Sequence, residues 1–224
     1  MNEVSQYKEF WDFVSWLNQN QIEEHLILVG SWAEYIYAQF GILPGFDVNL
    51  RTLDIDFLIR NKNRPGKAVN IISTAQQAGY LIDYDRMEGT TKFYIPGSLE
   101  IEFIIEQRGS GKDTIIDTNL GVSAQALRHI GMLKDNIITI SHYDNTLTVP
   151  TPEAYTIHKI IINDERRRKA HKDKQAILNL IGFLDENKFK EIYEKLTVKE
   201  KKIVRQFLKD NWKGWAESGF TIGW

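Results

Sequence analysis

The chain has 224 residues, 42% hydrophobic and 26% charged, with 28 lysines and arginines against 30 aspartates and glutamates and a formal net charge of -2. That length carries one domain of moderate size, or one with a smaller appendage, and the near-neutral balance excludes a broadly basic surface of the kind that coats nucleic acid. With no cysteine, disulfides, thiolate metal sites and cysteine nucleophiles are excluded; no apolar run approaches the roughly 18 residues of a membrane span and the acidic, aromatic start is unlike a secretory signal, so the cytoplasm is the expected compartment.

Tyr7, Phe10, Trp11, Val14 and Leu17 recur at spacings of three and four, which predicts an amphipathic helix over residues 4–17. A short apolar strand follows at 25–29, then Gly30-Ser31, then a helix at 32–40 with Ala33, Ile36, Tyr37 and Phe40 on one face. Alternation predicts a strand at 53–59, and a helix at 67–78 ends at Gly79, a natural C-cap. Strands are expected at 80–84, 91–95 and 99–105, the last two joined by a Pro96-Gly97-Ser98 turn as a hairpin. The region 112–148 reads as mixed, with a helix near Ala124 and strands near 137–140 and 147–149. Thr151 as N-cap with Pro152 in the first turn opens a helical tail, with helices at 153–162, 166–184, 188–196 and 198–212. This order predicts an α+β domain at 1–149, a mixed β-sheet flanked by helices, followed by a C-terminal helical bundle at 150–224.

Two stretches do nothing for a core. Asp54 and Asp56 stand two apart on a strand and so project to one face, with Leu53, Ile55 and Phe57 on the other. Two adjacent carboxylates repel, and a half-buried pair must share a proton or hold a cation; a hard divalent ion taking oxygen ligands, Mg²⁺ or Mn²⁺, resolves this. A third acidic ligand is expected from a neighbouring strand, where Glu100 and Glu102 point the same way. Glu102 is favoured because it is embedded in the more apolar IEFII stretch. Glycine at Gly30 permits close backbone approach to a ligand, and Ser31 at a helix start offers its hydroxyl and N–H groups to an anion.

Together, LVGSWAEYIY and RTLDIDFLI resemble the Gly-Ser and Asp-x-Asp motifs of the polymerase β-like nucleotidyltransferase superfamily. The stretch from VPTPEAYTIHK to KDKQAILNLIGFL is similar to the helical continuation of a bacterial branch of it. The resemblance covers residues 25–185 and implies transfer of a nucleoside monophosphate from a nucleoside triphosphate to an acceptor hydroxyl. It implies that Gly30 and Ser31 contact the triphosphate, with the Trp32 and Ala33 amides on the departing pyrophosphate, and that Asp54, Asp56 and Glu102 (or Glu100) bind the metal. Lys159, Lys172 and Asp173 match the helical motifs. Arg168 and Lys172 stand one helical turn apart, and with Lys159 they are the candidate nucleotide-binding cations. Relatives include toxin-like transferases of bacterial defence systems, which implies RNA or protein as acceptor. Trp32 and Tyr35 are expected in the core more than on a base, and His158 as a packed residue.

Overall fold

The structure is a computed structural model, described here over residues 3–48, 50, 52–84, 89–94, 99–107, 114–163 and 170–212. It separates into two compact units, Met1–Ile36 with Val48–Pro150, and Tyr37–Asp47 with Thr151–Trp224.

The first unit is organised by a seven-stranded mixed sheet. Helix α1 (Glu3–Gln19) leads through a 3-10 turn into β1 (Leu26–Val29), and β2 is Asp54–Ile59. Helix α3 (Ile71–Gln77) precedes β3 (Leu81–Tyr84), β4 (Thr91–Tyr94) and β5 (Glu100–Glu106). The path across the sheet is β1-β2-β5-β4-β3, with β6 (Ile115–Asp117) and β7 (Ser123–Leu127) attached through β7 to β5. Pairing is antiparallel for β1 with β2 and for β4 with both β3 and β5, and parallel for β2 with β5 and β5 with β7. A short helix α4 (Gly131–Asp135) and a separate hairpin of β8 (Ile137–His142) and β9 (Asn145–Pro150) complete the unit.

β5 shows in its sequence why it is central. Its first residues alternate, with Ile101 and Phe103 buried and Glu100 and Glu102 half-exposed, whereas Ile104 and Ile105 are both buried. A strand covered on one face at its start and on both at its end reads in this way. The amphipathic face of α1 covers the sheet: Phe10 stacks on Trp32 at 4.4 Å between ring centroids, and Phe13 meets Phe57 at 5.7 Å. Trp32 is fully buried and serves the core, whereas Tyr35, stacked on Tyr7 at 4.7 Å, is half-buried at its margin.

Three sequence expectations change in this unit. Ala124 lies in β7, not in a helix: Ala124 and Ala126 are buried while Ser123, Gln125 and Leu127 are not. Pairing with β5 and β6 overrides the helix preference of alanine there. Helix α3 begins only at Ile71, because the Asn70 side chain accepts from the Ile72 N–H at 3.0 Å and caps it; Gly79 follows its end with φ +91. Leu53 lies before β2 and is 42% exposed, so it does not join Ile55 and Phe57 in the core. The Pro96-Gly97-Ser98 turn lies outside the described residues.

The second unit is helical. Its centre is α5 (Pro152–Asn163), buried on nearly every side, with α6 (Ala170–Leu180), α7 (Glu186–Glu194) and α8 (Val198–Asn211) packed against it. Thr151 Oγ1 accepts from the Ala154 N–H at 3.3 Å, the expected start of α5. Asp185 caps α7 through the N–H groups of Asn187 and Lys188, which sets its beginning two residues ahead of the expected one. A capping box opens α8: Thr197 Oγ1 accepts from the Glu200 N–H at 3.3 Å, and Glu200 Oε2 accepts from the Thr197 N–H at 2.9 Å. Thr197→Ala removes one half of that exchange and is expected to cost about 1 kcal/mol of stability, read by urea unfolding. The α+β architecture with C-terminal helices α5–α8 is the one expected from the sequence.

Candidate active site

The sheet register brings the acidic residues together. Val29, the last residue of β1, pairs with Asp56, so the chain leaves the sheet at Gly30 beside the acidic end of β2. On the other side of β2, Asp54 pairs with Glu100 and Asp56 with Glu102. Paired residues on adjacent strands share a face about 4.8 Å apart, so all four carboxylates lie on one face in two rows.

Gly30 is in the left-handed region, φ +69. A Cβ added there would overlap Asp56 Oδ2 and stand 3.3 Å from Asp56 Cγ. Glycine is thus required twice, for the turn out of β1 and for the Asp56 carboxylate seated against the backbone. Ser31 begins α2 (Ser31–Gln39). The Ala33 N–H already donates to the Gly30 carbonyl at 3.1 Å, which removes it from the amides expected to face phosphate. Thr52 supports the first aspartate: its Oγ1 accepts from the Asp54 N–H at 3.3 Å and lies 3.4 Å from Asp54 Oδ2.

A residue that sequence reasoning missed stands in the same row. Lys92 on β4 pairs with Glu102, so that Asp56, Glu102 and Lys92 run straight across three strands. Lys92 Nζ lies 2.6 Å from Glu102 Oε1 and 2.7 Å from Glu100 Oε1. Burial pushes this ammonium down, but its bonds to the two glutamates outweigh burial and hold it above the ordinary lysine range. It is a fixed cation, not a base. Burial likewise pushes the Glu102 carboxyl up; Lys92 pulls it back, the neighbouring Asp56 charge and Glu100 push it up again, and the net direction is upward. The signal in the sequence was the alternation of Lys92 and Tyr94 with the buried Thr91 and Phe93.

The four carboxylates offer only oxygen donors, and set against the single Lys92 ammonium they leave an excess of negative charge, which fits a hard divalent cation. Among the described residues no group of three or more His, Cys, Asp or Glu side chains is already arranged to hold an ion, and Glu102 is engaged by Lys92.

The remaining candidates belong to the helical unit. Lys159 Nζ bonds Asp173 Oδ1 at 2.8 Å and stands 5.5 Å from the centre of the Tyr155 ring. Asp173 is buried and Lys159 half-buried, and Asp173 Oδ2 has no hydrogen-bond partner. Lys172 falls in α6 with its side chain outside the described set, and Arg168 lies outside the described residues. His158 is buried, as a packed residue should be. Among the described residues no helix is long and apolar enough to cross a membrane.

A family model described as nucleotidyltransferase matches residues 9–197. No curated protein matches the chain. Among solved structures, the chain is similar to an antigenic nucleotidyltransferase-like protein from Paracoccidioides brasiliensis, at 15% identity and a TM-score of 0.58 over 93% of this chain and 88% of that one. It is also similar to the antibiotic-resistance factor ANT(2'')-Ia, at 10% identity and a TM-score of 0.43, over 97% and 98% of the two chains. At such identity the first likeness concerns the fold alone.

Proposed function

The chain belongs to the nucleotidyltransferase family, and from that premise we propose that it is a divalent-metal-dependent transferase moving a nucleoside monophosphate from a nucleoside triphosphate to an acceptor hydroxyl. One observation carries this reading. The Asp56 carboxylate is seated against Gly30, at the turn into α2, while its β2 position faces Glu102 on β5. The turn proposed here to take the phosphates therefore lies beside the acidic rows.

In this reading Gly30 admits the phosphates to the backbone, and the Ser31 hydroxyl and N–H hold the departing pyrophosphate at the head of α2. Asp54, Asp56 and Glu102 would hold Mg²⁺ or Mn²⁺, which would supply charge neutralisation at the transferring phosphoryl group and a lowered pKa for the acceptor hydroxyl. The acceptor oxygen bonds to the α-phosphorus, the α–β anhydride bond breaks, and pyrophosphate and the hydroxyl proton leave. Lys159, Arg168 and Lys172 are proposed as phosphate-binding cations of the helical unit. An RNA or a protein hydroxyl is the proposed acceptor, as in a toxin-like defence role in the cytoplasm.

The test is to supply each α-labelled nucleoside triphosphate with total RNA and with lysate protein, follow the label and assay pyrophosphate. Label on an acceptor with matching pyrophosphate release, lost in Asp56→Asn, supports transfer. A second reading, a relative that binds nucleotide without turnover, is favoured by the engagement of Glu102 by Lys92. Calorimetric binding of Mg-ATP with no pyrophosphate across the acceptor panel would select it, and turnover without any acceptor would instead indicate a phosphohydrolase.

A further inference from the structure

Lys92 has no part in the transfer just described, yet it makes the closest charged contacts in the site. Its ammonium lies between Glu100 and Glu102, at 2.7 and 2.6 Å, and its side chain is 14% exposed. It reaches Glu102 from the β4 side of β5, while Asp56 faces Glu102 from the β2 side. Glu102 therefore stands between two claims, one from a cation already in the protein and one from the place where an ion held by Asp54 and Asp56 would sit.

We infer that Lys92 is a resident counter-cation of the acidic rows, which competes with the divalent ion for Glu102 and so sets how tightly that ion is held. The inference rests on the reading of Asp54, Asp56 and Glu102 as metal ligands. The two-glutamate arrangement is what makes the competition workable. When Glu102 turns toward an ion, Lys92 keeps Glu100, so no half-buried ammonium is left without a partner. When no ion is present, Lys92 compensates two carboxylates that would otherwise repel each other and Asp56. The same cation disfavours a second positive charge nearby. Even at the dielectric of water, a unit charge about 6 Å from a divalent ion changes its affinity about tenfold.

The experiment is Mn²⁺ binding, by electron paramagnetic resonance or calorimetry, to the full chain as wild type, Lys92→Met, Lys92→Gln, Lys92→Arg and Asp56→Asn. Loss of the ammonium in Lys92→Met and Lys92→Gln is expected to tighten Mn²⁺ binding about tenfold or more, with Lys92→Arg close to wild type and Asp56→Asn losing binding. The Met and Gln variants are also expected to melt at lower temperature than wild type without metal and to gain more on adding it. Binding by Lys92→Met with none by wild type supports the inference in its strongest form. Met and Gln variants that bind within twofold of wild type, or more weakly, while Asp56→Asn fails to bind, overturn the role of Lys92 and leave the metal reading intact. No Mn²⁺ binding by wild type or any Lys92 variant overturns the metal reading, and the inference with it.

Discussion

Asp56→Asn is expected to lower nucleotidyl transfer by about 10³-fold or more while leaving the protein folded. The substitution keeps the volume of the side chain and removes its charge at an acidic position that meets both Gly30 and the β5 row. A metal-organised phosphoryl site supplies several kcal/mol of transition-state stabilisation, and a loss of about 4 kcal/mol corresponds to about 10³-fold in rate. Stability moves little, because Asp56 is half-buried and lies beside a carboxyl that its charge already disfavours ionising. The check is label transfer and pyrophosphate release alongside thermal melting. Near-wild-type transfer by Asp56→Asn, with the protein folded, refutes the assignment of Asp56.

Gly30→Ala is expected to be nearly as damaging to transfer, by a different physical route. Alanine at φ +69 carries a left-handed backbone cost of about 1–2 kcal/mol, and its Cβ would overlap Asp56 Oδ2. Since Asp56 sits on a strand paired on both sides, the carboxylate must rotate away from the turn. Urea unfolding should show a loss of about 1–3 kcal/mol, strain and displacement together. If the activity loss works through Asp56, the double variant Gly30→Ala/Asp56→Asn transfers no more slowly than Asp56→Asn alone. A loss that multiplies in the double variant would mean that Gly30 acts independently of that carboxylate.

Much of the site was legible because strands report themselves with a period of two. The alternation in LDIDFLI and LEIEFII separates acidic from apolar positions, and both strands occur within one residue of where it says, with Ile55, Phe57, Ile101 and Phe103 buried and Leu53 left outside. The Gly30-Ser31 pair was readable for a similar reason, since a bare glycine after a four-residue apolar strand marks a turn that a Cβ would obstruct. β7 was not legible, because SAQAL is as good a helix sequence as a strand sequence and only its neighbours decide. Lys92 was missed because the hairpin reading supplies no register: whether it meets Glu102 or a buried isoleucine depends on the pairing of β4 with β5, one residue either way. The roles of Lys159, Arg168 and Lys172 rest on motif resemblance, and the Lys159–Asp173 pair shows that a cation in such a motif can carry its own counter-ion.

The parallel register of β2 on β5 binds chemistry to folding. A slip of a single residue would send Glu100 and Glu102 into the hydrophobic interior and turn Ile101 and Phe103 out to water. Whatever keeps this sheet folded therefore keeps the acidic rows aligned as a by-product, so geometric precision here is inherited from thermodynamics, and only the identity of the charged side chains is set apart from it.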